Sequence, residues 1–269
     1  MKKFIFFLIL LTISACTTSP TGRSQLMLVS PEQAISASRE AYVQTLAPLQ
    51  KEGKIDSDAA TSARVKLITG RLIAQAIRLY PHTRDWEWSV KVIDDPEMVN
   101  AWCMAGGKMA IYTGLIDKIK ATDDEIAQVM GHEISHALAN HTAEKMSMAM
   151  ASQLGMVGLT MATRTSEHGA AILAGSSLAA ALAITLPNSR TSETEADIMG
   201  IEIAARAGYD PRAAATLWQK MATVGGSSPP QFLSTHPSPA NRQENLSKLA
   251  ERLMPYYLDK SDRPVYRLQ

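Results

Sequence analysis

Large apolar residues alternate with other residues from Trp86 to Ile93, with Trp86, Trp88, Val90 and Val92 on one side, which is the period of a half-buried strand. Residues 98–104 and 108–113, joined across Gly106-Gly107, read as a hairpin. Elsewhere the period is helical. Ser30-Pro31 opens a helix to about Leu49, and Ser57 opens another that stops before Pro81. Thr122-Asp123-Asp124-Glu125 has the form of a capping box with acidic residues at the positive end of the helix dipole, and Ile126, Val129, Met130 and Ile134 follow as a buried stripe. That helix is expected to reach about His141. Later helices are expected from near Ser192 to Gly208, from Asp210-Pro211, and from Ser238-Pro239 to Met254. The pattern predicts an α+β fold, mainly helical, with a small β-sheet.

The Thr122 helix carries the most specific chemistry in the chain, His132-Glu133-Ile134-Ser135-His136. Residues four apart share a helical face, so His132 and His136 present two imidazoles to one Zn²⁺, and Glu133 beside them suits a general base acting on a water whose pKa the metal lowers. A catalytic zinc takes a third protein ligand and leaves one position open. The metzincin continuation is excluded, because Ala139 and Thr142 stand where it needs Gly and His. His141 is one residue out of register and reads as a solvated residue near a helix end. Glu193 and Asp197 are again four apart on one face, the gluzincin arrangement: Glu193 as third ligand, Asp197 accepting the distal N–H of a ligand imidazole. Glu195 points away from that face and reads as a surface charge. The Met146, Met148 and Met150 cluster reads as adaptable packing.

His132-Glu133-x-x-His136, the segment Ser189-Arg190-Thr191-Ser192-Glu193-x-x-Ala196-Asp197, and Thr235-His236-Pro237-Ser238-Pro239 followed by Arg242 resemble the HtpX/BepA/LoiP-type zinc metalloproteases, relatives of the CAAX prenyl proteases. The resemblance runs in matching order from about Asn100 to Leu249. Asn100-Ala101 and Gly106 to Leu115 are similar to the family's edge-strand region. The resemblance implies one Zn²⁺ per chain on His132, His136 and Glu193, Glu133 as catalytic base, and Asp197 behind a ligand. It implies that His236 faces the metal, either donating to the developing oxyanion or occupying the open position at rest. Arg242 is expected to pair with an acidic group near the site. The family fold is a helical gluzincin core whose edge strand borders the cleft, expected here around Lys108 to Tyr112.

The amino terminus bears on the compartment. Lys2 and Lys3 precede the apolar run Phe4 to Leu11, which suits an export signal and is too short for a membrane span. Ile13-Ser14-Ala15-Cys16 resembles a bacterial lipobox, which implies a signal peptide over 1–15 and a lipid anchor on Cys16. Thr17 follows the cysteine in place of the aspartate that retains lipoproteins in the inner membrane, so the periplasmic face of the outer membrane is expected. The remainder divides into a polar linker over 16–29, a metalloprotease domain over 30–254 and a C-terminal tail over 255–269. The uncharged, Ala-rich stretch Gly169 to Pro187 is expected to form packed helices or a lid over the cleft, and Gly225 to Pro230 a flexible loop leading to His236.

The 27 Lys+Arg against 26 Asp+Glu and a formal charge of +1 show no basic excess that would point to nucleic acid. With Cys16 assigned to lipid, Cys103 stands alone and reads as a small core residue of a strand. The expected function is a zinc endopeptidase of the bacterial envelope acting on unfolded or misfolded proteins. The alternatives are an envelope assembly chaperone or scaffold with a gated, weakly active site, and a non-peptidase zinc hydrolase.

Overall fold

The computed structural model describes residues 16–163, 189–224, 230–237 and 241–268. The expected signal peptide, the 169–187 stretch, residues 225–229 of the Gly-rich loop and Ser238-Pro239 lie outside the described residues. The strands are β1 (Cys16–Thr18), β2 (Ser24–Leu26), β3 (Ser89–Ile93), β4 (Ala101–Met104) and β5 (Lys108–Tyr112). The helices are α1 (Pro31–Lys51), α2 (Ala59–Leu79), α3 (Thr113–Lys118), α4 (Asp123–Leu138), α5 (His141–Thr163), α6 (Arg190–Arg206), α7 (Ala213–Val224), α8 (Gln231–Thr235) and α9 (Arg242–Leu258). Among the described residues no helix is long and apolar enough to cross a membrane. The chain forms two compact units, Met1–Ala34 with Asn140–Leu186 and Ile35–Ala139 with Pro187–Gln269.

In the first unit, the stretch expected as a linker is a hairpin. β1 and β2 pair antiparallel with Cys16 opposite Leu26. The hairpin is fastened to the start of α5, where Nη1 and Nη2 of Arg23 donate to the two Glu144 oxygens at 2.6 Å and Gln25 Nε2 adds a bond of 2.9 Å. Val29 N–H donates to Ser147 Oγ at 2.9 Å. His141, expected in solvent, is buried, because Asn140 adopts a left-handed conformation (φ 56°) and His141 starts a new helix facing inward. Met148 and Met150, expected to pack, are exposed.

The second unit is built on α4. Its capping box forms as the sequence predicts: Thr122 Oγ1 accepts from Glu125 N–H and the Glu125 carboxylate accepts from Thr122 N–H. Ile126, Met130, Ile134 and Leu138 are fully buried, each contributing about 1.5–3 kcal/mol. α2 packs on α4 and β3 through Ile68, Leu72 and Ile73. The sheet runs β3-β5-β4, with β3 parallel and β4 antiparallel to β5. This corrects the assignment of the edge. Lys108–Tyr112 is the central strand, with Met109, Ala110 and Ile111 at 0% exposure, because β3 claims its outer side. The edge strand alongside α4 is Ala101–Met104. The tail is also more than a tail: α9 continues to Leu258, Tyr266 N–H donates to Gly70 O at 2.9 Å, and the Arg263 guanidinium donates to Arg206 O at 2.7 Å.

α4 and α6 cross in backbone contact. A Cβ on Gly200 would lie 2.7 Å from His132 N, and one on Gly131 would lie 2.8 Å from Gly200 O. Only glycine permits this approach, and it sets Glu193 and Asp197 of α6 against the histidines of α4.

Candidate metal centre

Helical spacing brings His132 and His136 together, Nε2 to Nε2 at 3.0 Å. Ser189 caps α6 by accepting from Ser192 N–H, which places Glu193 in the first turn, where the helix dipole favours a carboxylate. Its oxygens stand 3.2 Å from His132 Nε2 and 3.3 Å from His136 Nε2. One turn on, Asp197 Oδ1 lies 3.0 Å from His132 Nδ1. With the proton on Nδ1, the Nε2 lone pair faces the cluster. His236 comes from the end of α8; its Nδ1 lies 3.0 Å and 3.2 Å from the Glu193 oxygens and 3.3 Å from His132 Nε2. Arg242, at the start of α9, grips both oxygens of Asp197 at 2.7 Å and 2.6 Å.

One ligand atom each from His132, His136, Glu193 and His236 lies within 4.8 Å of the other three, and all four residues are buried. Inward-facing nitrogens 3.0–3.3 Å apart around a carboxylate form a donor set that a shared cation would hold together. The spacing fits one: metal–nitrogen bonds of about 2.0–2.1 Å in a tetrahedron put ligand atoms about 3.3 Å apart. Beside this cluster Glu133 Oε1 is buried and has no hydrogen-bond partner, with His236 Nε2 the facing group at 3.4 Å. A buried carboxylate oxygen without a donor is costly, and a water held at the cluster would satisfy it.

The electrostatics agree. Burial raises the pKa of Glu133, and neighbouring Glu193 adds to that, against the lowering effect of His236 and His132. Burial pushes His136 well below its ordinary value. Burial alone would lower His132 too, but Glu193 and Asp197 outweigh it and hold its pKa at about 9. Glu193, despite burial, stays far below the carboxylate range because three imidazoles surround it. A metal entering this site would displace a proton from His132, so metal uptake is expected to rise with pH towards about 9.

Seven residues named from the sequence, His132, Glu133, His136, Glu193, Asp197, His236 and Arg242, are thus assembled in one unit. Cys16 heads β1 in the other unit. Glu195, expected at the surface, is buried at 3% exposure. Gly131, Gly200, Trp218 and Phe232 were not legible as site residues, because nothing in their spacing distinguishes them from ordinary core positions.

Residues 59–250 match peptidase family M48. The chain belongs to this family. It is 34% identical over 238 residues to the human mitochondrial metalloendopeptidase OMA1, covering 85% of this chain and 44% of that protein. The Arabidopsis thaliana OMA1 is 36% identical over 181 residues, 65% of this chain and 35% of the relative. The Escherichia coli beta-barrel assembly-enhancing protease is 29% identical over 211 residues, 73% of this chain and 42% of the relative. The chain spans less than half the length of each of these relatives. Within M48, the His/Glu group of this chain is a metal-binding group of the HExxH type.

The glycine contact makes a testable demand on the M48 core. Gly200→Ala is expected to push α6 from α4, costing about 1–3 kcal/mol in chemical unfolding and weakening metal affinity about 10- to 100-fold. Wild-type affinity in a titration with a chromophoric chelator would show that the helix contact does not set the ligand geometry.

Proposed function

We propose that this chain is a zinc-dependent endopeptidase of the bacterial cell envelope that cleaves unfolded or misfolded proteins. The observation carrying the reading is the buried Glu133 Oε1, without a hydrogen-bond partner, set against a four-donor metal-binding group. His132, His136 and Glu193 would hold the ion, which would supply polarisation of a carbonyl and a lowered pKa, towards about 7, for bound water. Glu133, its pKa raised by burial, accepts the proton of the attacking water and returns it to the leaving nitrogen. Asp197 keeps His132 in the tautomer that presents Nε2, and Arg242 fixes Asp197. An extended peptide adds to β4, which among the described residues has no strand on its outer side and whose Cys103 backbone bonds Glu133. Main-chain pairing of that kind makes few demands on sequence.

His236 Nδ1 lies among the other three donors, so His236 would be the resting occupant of the fourth position and would have to give way to a substrate carbonyl. His236→Ala is therefore expected to raise basal cleavage of a short unstructured peptide severalfold while weakening metal retention. A fall of about 10²–10³-fold in kcat with metal retained would sink this and assign His236 to the oxyanion.

The envelope reading rests on the lipobox-like Ile13 to Cys16 and on similarity to the beta-barrel assembly-enhancing proteases of Escherichia coli and Yersinia pestis. Cys16→Ser is expected to abolish incorporation of labelled fatty acid; an unlabelled wild type removes the anchor. The closed metal group, with His236 at 5% exposure, also supports a second reading, an assembly chaperone with a gated site. Purified protein with zinc is tested on a reduced, carboxymethylated substrate beside Glu133→Gln. Cleavage by wild type alone establishes the peptidase, whereas binding without cleavage by both establishes the chaperone.

A further inference from the structure

A row of rings runs behind the metal centre. The Phe232 ring is stacked on the His236 imidazole at 4.4 Å and 23°, and Trp218 lies against Phe232 with centroids 5.7 Å apart. Trp218 also carries the Arg242 guanidinium over its ring, 3.5 Å from the centroid. Arg242 in turn holds Asp197, and Asp197 holds His132. The row therefore closes a circuit from His236 through Phe232, Trp218, Arg242 and Asp197 to His132, whose ring centroid is 5.1 Å from that of His236.

Each ring is anchored from outside the site. Phe232 is 1% exposed, and its N–H donates to Val99 O at 3.1 Å, tying α8 to the chain that enters β4. Trp218 projects from the stretch of α7 between Thr216 and Lys220, and both of those donate to the Glu125 carboxylate, at 3.0 Å and 2.6 Å. Glu125 belongs to the capping box of α4, so α7 cannot slide along the metal helix without giving up both bonds to it. A small cavity of about 20 Å³ is bordered by Gln128, His132, Trp218 and Phe232.

We propose that Phe232 and Trp218 are positioning residues that hold the His236 imidazole in the fourth-ligand place and set how readily it leaves. This rests on the metal-centre reading above. His236 N–H donates to Phe232 O at 2.9 Å, so the residue is tied by its backbone to the same residue whose ring it stacks on. Its ring plane lies 23° from that of Phe232, and the stacked face and the groups facing its two nitrogens set it together. Trp218 keeps Phe232 upright, and Arg242, fixed by two bonds to Asp197, keeps Trp218 from rotating. Leucine in place of Phe232 fills part of the volume but offers no flat face, so His236 loses its orientation while the three other donors keep theirs.

The experiment is a double-mutant cycle of Phe232→Leu with His236→Ala, read by peptide hydrolysis with zinc and by the visible absorption spectrum of the Co²⁺-loaded proteins. Phe232→Leu is expected to change hydrolysis about 3- to 30-fold and to shift the Co²⁺ spectrum when His236 is present, and to do neither in His236→Ala. Trp218→Leu is expected to reproduce a smaller version of both effects, and Trp218→Phe to recover most of the loss of coupling. Equal changes in the two backgrounds, with an unshifted spectrum, overturn the proposal and leave Phe232 and Trp218 as core packing. If Phe232→Leu fails to fold, Trp218→Leu carries the same cycle and the same criterion. Failure of the underlying reading is distinguishable, because Glu133→Gln would then match wild type in hydrolysis.

Discussion

Glu133→Gln is expected to reduce peptide hydrolysis by about 10³–10⁴-fold while leaving metal content and fold intact. The amide keeps the size of the carboxylate and its place beside the Cys103 main chain, but it cannot accept a proton at catalytic pH. In this site the loss is concentrated on chemistry because Glu133 Oε1 makes no structural hydrogen bond. Removing the charge also removes a buried carboxylate that burial already disfavours, so the variant is expected to be at least as stable as wild type to urea. Measured together, kcat/KM, metal by mass spectrometry and the unfolding midpoint separate a base from a ligand. Loss of metal in Glu133→Gln, or hydrolysis within tenfold of wild type, would remove Glu133 from the role of base.

Glu193→Ala is expected to abolish metal retention and with it activity. Three imidazoles stand within 3.0–3.3 Å of this carboxylate, and none of them can replace its negative charge towards a metal. The metal-free protein is expected to suffer as well. Its His132 is held charged to about 9, first against burial and then by Glu193, so this pair stabilises the fold fully below the unfolded histidine value of about 6.5. That contribution is lost as pH rises through about 9. Breaking a buried pair by removing one partner costs about 3–5 kcal/mol, so chelator-treated Glu193→Ala is expected to be less stable than treated wild type at pH 6, with the gap closing by pH 10. A gap independent of pH, or normal metal content, would contradict the pairing.

The elements recovered from sequence are those with a local cause. The capping box at Thr122 and Glu125 starts α4 wherever that helix packs, and i, i+4 spacing places His132 beside His136, and Glu193 on one face with Asp197, by helix geometry alone. The hairpin across Gly106-Gly107 was legible for the same reason, since both glycines take positive φ. Misplaced features depend on partners distant in the chain. Alternation in Trp86 to Ile93 indicates a strand but cannot say that it pairs parallel with β5, and that pairing moves the edge from Lys108–Tyr112 to Ala101–Met104. The 16–29 stretch has the composition of a linker, and only Glu144, more than a hundred residues later, makes it a hairpin that packs.

The sequence by itself determined the chemistry: two histidines, a glutamate between them and an acidic pair on a second helix, because the reactive groups and their periodic spacing are properties of the chain. What the tertiary structure alone decided is how closely those groups converge. The contact of Gly131 with Gly200 sets the approach of the two helices, burial raises the pKa of Glu133, and the Phe232 and Trp218 rings place His236 among the other three donors. These depend on backbone distance, solvent exclusion and side-chain packing between segments up to about a hundred residues apart, and no local pattern encodes a distance across that separation.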